Sequence, residues 1–288
     1  MNIIVGATGQ VGSYLIQELK QQNVPVMALV RNLQKLSDKT VESREVDLFD
    51  VEKLMKAFQG GTTAFVLTPE NPMSNDVIGD TKRIVENYKA AIQATGIKKV
   101  VALSCVGAHI NGETGNILMS RILEQGLDEL DIERVYIRPS YYFSNWLAYM
   151  ETVDQHGVLP TFFPEELRIE MHSPIDLAKF AAKVITDTSS SEKRKIYELT
   201  GEEKYSSRDV ADTFSKVLNK DVTVQSIKRD KWQETLLSVG FTVNAARNLA
   251  DMTQAVIDNL AVPEYPNNII KLPTTLTDYL KACTEANS

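Results

Sequence analysis

"VGATGQVGSYL", residues Val5–Leu15, places glycines at positions 6, 9 and 12. Before it, the apolar run "NIIV" (2–5) reads as a short buried strand. After it, "SYLIQELKQQ" (13–22) has the apolar spacing of an amphipathic helix. The glycines therefore stand where a strand turns into a helix. A tight turn needs one glycine or two, and three at this spacing ask for more. Gly6 can take a positive φ at no steric cost. A missing side chain at Gly9 lets an anion approach the backbone N–H groups and the helix N-terminus. Gly12 lets the helix pack close to the strand. With Thr8, Gln10 and Val11 between them, these residues form a candidate cradle for a dinucleotide pyrophosphate.

Outward from that turn, strand and helix patterns alternate. "VPVMALV" (24–30), "SREVDL" (43–48), "TAFVLTP" (63–69), "KKVVALSCVG" (98–107), "RVYIRP" (134–139) and "RKIYELTG" (194–201) read as further strands, seven in all with the first. Helices are expected at 51–60, from about Asp76 to Ala94, and at 173–187. Near-continuous apolar strands separated by helices predict an α/β protein with a Rossmann-type doubly wound parallel sheet. The segment 156–172 reads as loop-like and aromatic. Beyond 201 come a helix opened by a Ser206/Asp209 capping box, a short strand "VTVQSI", a helical stretch around 230–260 and a closing helix "TTLTDYLKACTE". The expected division is a dinucleotide-binding unit at 1–155, completed by 173–200. A smaller α/β lobe, 156–172 with 201–288, would sit over the carboxyl ends of the strands, where ligands bind in open α/β sheets.

The bulk chemistry narrows the function classes. A net charge of −7 without a Lys/Arg stripe argues against direct nucleic-acid binding. Apolar stretches stop well short of the roughly 20 residues that span a bilayer, which argues against a membrane protein. Cys105 and Cys283 lie far apart and make no metal spacing, so reduced thiols in the cytoplasm are the simplest expectation. No metal site is expected.

A NAD site usually carries Asp or Glu about 20 residues after the glycines, to hold the ribose 2′-hydroxyl. Here the end of the second strand reads "ALVRNLQK", with Arg31 in the acid's place and Lys35 one helical turn on. A guanidinium suits a 2′-phosphate and offers a hydroxyl no acceptor. NADP(H) is favoured over NAD(H).

"GATGQVG", "LVRNLQK", "VDLFD", "VLTP", "VVALSCVGA", "YIRPSYYFSN" and "SPIDLAKFA" occur in the order seen in NmrA-like proteins, and the chain resembles them over almost its whole length. These are atypical members of the extended short-chain dehydrogenase/reductase superfamily, among them NAD(P)H-dependent quinone reductases and NADPH-sensing regulators. The resemblance implies that Asp47 and Leu48 lie beside the adenine, although Asp47 could instead cap the next helix. It implies that Leu67, Thr68 and Pro69 line the nicotinamide ribose. Ser104 would sit where the superfamily places its catalytic Ser or Thr, beside the cofactor. Pro139 and Tyr141 would frame the nicotinamide. Tyr141, Phe143, Asn145, Trp146 and His172 would face the substrate, unless the aromatic run is ordinary core.

The chain departs from the superfamily at its proton-transfer pair. Ordinary members place Tyr and Lys four apart on one helix, so that the ammonium lowers the phenol pKa. None of the ten tyrosines here has Lys four residues later. The corresponding helix reads "NILMSRILEQGLDEL", with Arg121 near the Lys position and Ile117 four residues before it. Arg121 can bind ribose or phosphate oxygens but cannot act as a proton reservoir. His109 and His172 are the other candidate acids. Alcohol oxidation or sugar epimerisation needs a base, so a nucleotide-sugar epimerase fits the fold and not the chemistry. Reduction of a quinone or similar small electrophile fits better, because solvent can protonate the product. The alternative is a non-catalytic NADP(H)-sensing regulator with a protein partner.

Overall fold

The computed structural model describes residues 1–189 and 192–285. Its strands are β1 (Asn2–Val5), β2 (Val26–Val30), β3 (Glu42–Glu45), β4 (Thr63–Leu67), β5 (Lys99–Leu103), β6 (Glu133–Pro139), β7 (Tyr141–Tyr142), β8 (Val158–Thr161), β9 (Ile169–His172), β10 (Arg194–Gly201), β11 (Lys204–Tyr205), β12 (Thr223–Ser226) and β13 (Ile270–Leu272). Its helices are α1 (Gln10–Gln21), α2 (Val51–Phe58), α3 (Val77–Thr95), α4 (Ile117–Asp128), α5 (Met150–His156), α6 (Pro174–Thr186), α7 (Ser207–Leu218), α8 (Trp232–Ser238), α9 (Val243–Ile257) and α10 (Leu276–Glu285).

The main sheet has eight strands in the order β3-β2-β1-β4-β5-β6-β10-β13, all parallel. Central strands are apolar on both sides because both faces are covered. On one face, Leu54, Phe58, Tyr88, Ile92 and Leu123 of α2, α3 and α4 pack against β1, β4 and β5. On the other, Leu15 and Leu19 of α1 meet Leu177, Ala181 and Ile185 of α6 over Ile4, Phe65 and Val101. Edge strand β3, "ESRE", is polar and largely exposed. The order reverses between β1 and β4, which opens a crevice at their carboxyl ends. This is the predicted Rossmann-type α/β fold.

Three features differ from the sequence reading. An eighth strand, β13, joins β10 from within the segment expected to belong wholly to the smaller lobe. At three residues it is too short for periodicity to reveal. The expected loop 156–172 contains β8, paired with β12, and β9, paired with β7 and β11. The single helical stretch expected at 230–260 is two helices, broken at Gly240, whose φ is +95°. The capping box at Ser206 and Asp209 forms as expected, with both reciprocal bonds present.

A separate apolar cluster lies outside the main sheet. Phe143, Trp146, Phe163, Val210, Phe214, Leu276, Tyr279 and Leu280 are buried together there. None of the described helices is long and apolar enough to cross a membrane.

Candidate functional site

The turn after β1 is built as a cradle. Gly6 adopts φ +71°, and Gly9 donates its N–H to the Gly6 carbonyl at 2.9 Å. Gly9 is also the N-cap of α1, with no side-chain cap and no acidic residue in the first turn. The positive end of the helix is therefore left for an anion. Thr8, Gly9 and Gln10 are exposed, whereas Val11 and Gly12 are buried against the strand. A Cβ on Gly12 would lie 2.2 Å from the Gly6 carbonyl oxygen, so only glycine allows this approach. The residues present fit a dinucleotide pyrophosphate.

Beyond β2, Arg31 is exposed and lines a cavity with Asp47, Leu48 and Phe49. The helix-cap alternative for Asp47 does not hold, because Asp50 caps α2 by accepting the Lys53 N–H at 3.0 Å. Asp47 instead accepts the Phe49 N–H at 3.0 Å and turns the chain beside Arg31. The Arg83 guanidinium stacks 5.1 Å from the Phe49 ring and stiffens that wall. Pro69 lines the same cavity, with Leu67 and Thr68 leading to it from β4. The Leu67 carbonyl accepts the buried Tyr88 hydroxyl at 2.9 Å, and the Leu67 side chain lies over Gly6.

The candidate proton-transfer residues do not converge on a free catalytic group. Ser104 is 5% exposed and donates its hydroxyl to Glu124 Oε1 at 2.5 Å. Glu124 is gripped bidentately by the buried Arg138 guanidinium, at 2.8 and 2.7 Å. Arg138 also donates to Glu264 at 2.6 Å and lies 3.5 Å from Glu198. Ser104 is thus tied into a buried ion cluster. Arg121 donates to the Ile110 carbonyl at 2.8 Å and ties down the loop after β5. His109 stands in that loop, half-buried, with its Nδ1 unpartnered. Burial pushes the neighbouring Cys105 thiol up to about 12, so it is no thiolate at neutral pH.

The aromatic run divides into wall and core. Pro139 is buried at the end of β6 and accepts the Val106 N–H at 3.0 Å. Tyr141 and Asn145 are half-exposed and hydrogen-bonded to each other. Tyr141 packs edge-on against Phe163 at 5.5 Å. Phe143 and Trp146 are 0% and 1% exposed, in the apolar cluster with Phe163, Phe214 and Tyr279. Trp146 donates to the Met171 sulfur at 3.3 Å. His172 is fully buried under the Tyr142 ring at 5.0 Å. Desolvation holds its pKa down at about 3, and its Nε2 has no partner. Phe143, Trp146 and His172 are buried behind Tyr141 and Tyr142, at odds with the expectation that they face a substrate. Phe143 and Trp146 lie in a 3-10 turn over Phe143–Tyr149 and His172 ends β9, so tertiary packing and no local pattern turns them inward.

Sequence reasoning passed over Glu70. It follows Pro69 directly and lines a cavity with Asn116, Met119, Phe241 and Ala245. Glu70 is exposed at the open cleft, and the mass of protein around the cleft raises its carboxyl pKa by desolvation. Its neighbour Asn116 stands at the start of α4, remote in sequence, so no local motif marks it. Among the described residues no cluster of His, Cys, Asp and Glu could hold a metal.

The NmrA-like family model matches residues 2–280. The chain belongs to the NmrA-like family. Among its relatives is Quinone oxidoreductase 2 of Escherichia coli, 28% identical over 258 residues, covering 87% of this chain and 86% of that protein. An NAD(P)H azoreductase of Xenophilus azovorans is 24% identical over 272 residues, covering 92% and 88%. Among solved structures, an NADPH-dependent quinone oxidoreductase of Escherichia coli in complex with NADPH superposes with a TM-score of 0.79 at 26% identity. That match covers 99% of this chain and 100% of the other. The NmrA-like membership accounts for the glycine turn, the sheet order and the aromatic segment after β6 together.

Proposed function

We propose that this chain is an NADPH-dependent reductase that delivers hydride to a quinone or a similar small electrophilic acceptor. One observation carries the reading. The uncapped, acid-free N-terminus of α1 behind Gly6, Gly9 and Gly12 follows the carboxyl end of β1, and an exposed Arg31 follows the carboxyl end of its parallel neighbour β2. The first suits a pyrophosphate and the second a 2′-phosphate. When bound, the reduced nicotinamide supplies two electrons and a proton as hydride. The chain's own part is to bind and orient. Thr8, Gly9, Gln10 and Val11 present the pyrophosphate site, and Asp47 and Leu48 flank the adenine. Leu67, Thr68 and Pro69 bound the nicotinamide ribose, while Tyr141 and Asn145 form the acceptor wall. In this reading residues 1–155 with 173–200 hold the cofactor, and most of the remainder closes the acceptor side. The quinone and azo-compound reductases among the relatives support a small electrophile as substrate.

The regulatory alternative has one observation in its favour: Ser104 and Arg121 are both committed to structural bonds. A single experiment separates the two. NADPH is added to the purified chain and loss of the nicotinamide absorbance is followed across a panel of quinones. Turnover supports the reductase; tight NADPH binding with no turnover on any acceptor overturns it.

A further inference from the structure

Reduction of a quinone by hydride leaves an oxygen anion that must be protonated, and Ser104, Arg121 and His172 are each otherwise engaged or buried. Glu70 is different. It stands at the carboxyl edge of the sheet, immediately after the Leu67–Pro69 segment assigned to the nicotinamide ribose. The Asn116 side chain lines the same cavity as its carboxyl, and α9 closes the far wall through Ala245. The groups coupled to its charge are Cys105, Tyr141 and Tyr142, from the β5 loop and the acceptor wall. All three are raised chiefly by burial and stay neutral around neutral pH, and among the described residues no Lys, Arg or His forms an ion pair with Glu70.

We propose that Glu70 is the proton donor to the reduced acceptor, a role that rests on the reductase reading above. The balance is simple. The acceptor takes two electrons and one proton as hydride from the reduced nicotinamide, giving a hydroquinone monoanion. The O–H bond of the neutral Glu70 carboxyl breaks, its proton passes to the anionic oxygen, and the carboxylate is left behind. Solvent returns a proton to Glu70 through the open cleft. Desolvation supports this assignment by keeping the carboxyl neutral to higher pH than an exposed glutamate, while a phenolate remains the stronger base.

The test has two readouts. In cofactor-free protein carrying carbon-13 at glutamate carboxyls, the signal missing from Glu70→Gln is titrated. It should titrate above the ordinary glutamate range; titration within that range overturns the proposal. In parallel, turnover of menadione with NADPH is measured against pH, with NADPH affinity by fluorescence. Wild-type kcat should fall as pH rises through the Glu70 pKa. Glu70→Gln should lose about a hundredfold in kcat with that pH limb abolished and NADPH affinity kept. Glu70→Asp should retain the limb at reduced kcat. An active wild type with unchanged kcat and pH profile in Glu70→Gln overturns Glu70 alone. A wild type that binds NADPH and turns over no acceptor overturns the reductase reading and this role with it.

Discussion

Gly12 and Gly6 face each other across the first turn so closely that a Cβ on Gly12 would stand 2.2 Å from the Gly6 carbonyl oxygen. The clashing atom is backbone, so no rotamer change relieves it. Gly12→Ala should push α1 away from β1, lowering the melting temperature by several degrees. NADPH affinity should fall by at least tenfold, as read by calorimetry. Unchanged binding would show that the turn tolerates a wider approach than its geometry implies.

Arg31 is exposed and makes no competing ion pair among the described residues, so its substitution has little structural cost. Arg31→Asp should weaken NADPH by one to two orders of magnitude, in line with the loss of a charge-assisted bond of about 1.5–3 kcal/mol. NADH should change far less. Equal weakening of both cofactors would remove Arg31 from the 2′-phosphate.

Ser104 and Glu124 give opposite expectations despite their contact. Ser104→Ala removes one hydroxyl from a carboxylate that Arg138 already grips twice, and should cost about 1 kcal/mol with kcat unchanged. Glu124→Gln leaves buried Arg138 short of its best partner and should cost about 3–5 kcal/mol by urea unfolding. A large loss of kcat in folded Ser104→Ala would restore the serine to the chemistry.

His172 makes stability depend on pH. Its folded pKa, about 3, lies below the unfolded value near 6.5, so the unfolded chain binds the extra proton. Stability is therefore retained above pH of about 6.5 and lost as pH falls toward 3, by about 1.4 kcal/mol per pH unit within that window. His172→Gln should flatten the acid limb of a urea-midpoint titration. An unaltered slope would assign the acid sensitivity elsewhere.

The fold was legible because its signals are local. Glycines at 6, 9 and 12 after an apolar strand, and alternating strand and helix patterns, are properties of contiguous sequence. Arg31 and Asp47 could be placed beside one cavity from sequence because they directly follow those elements. Ser104 and His172 looked functional from position alone, but long-range contacts bury both. Glu70 had the opposite history. Its chemistry depends on Asn116 and on the walls around it, and those are brought together only by tertiary packing.

The pairing of β13 with β10 also constrains how the molecule is made. Leu199, Thr200 and Gly201 find their outer neighbours in Ile270, Lys271 and Leu272, so the sheet cannot be finished until residue 272 has left the ribosome. Until then β10 presents an open edge with unpaired backbone groups, the kind of surface on which nascent chains associate. The intervening residues 202–269 must emerge first, while the apolar cluster around Phe143 and Phe214 waits for Leu276, Tyr279 and Leu280 of α10, which follow β13.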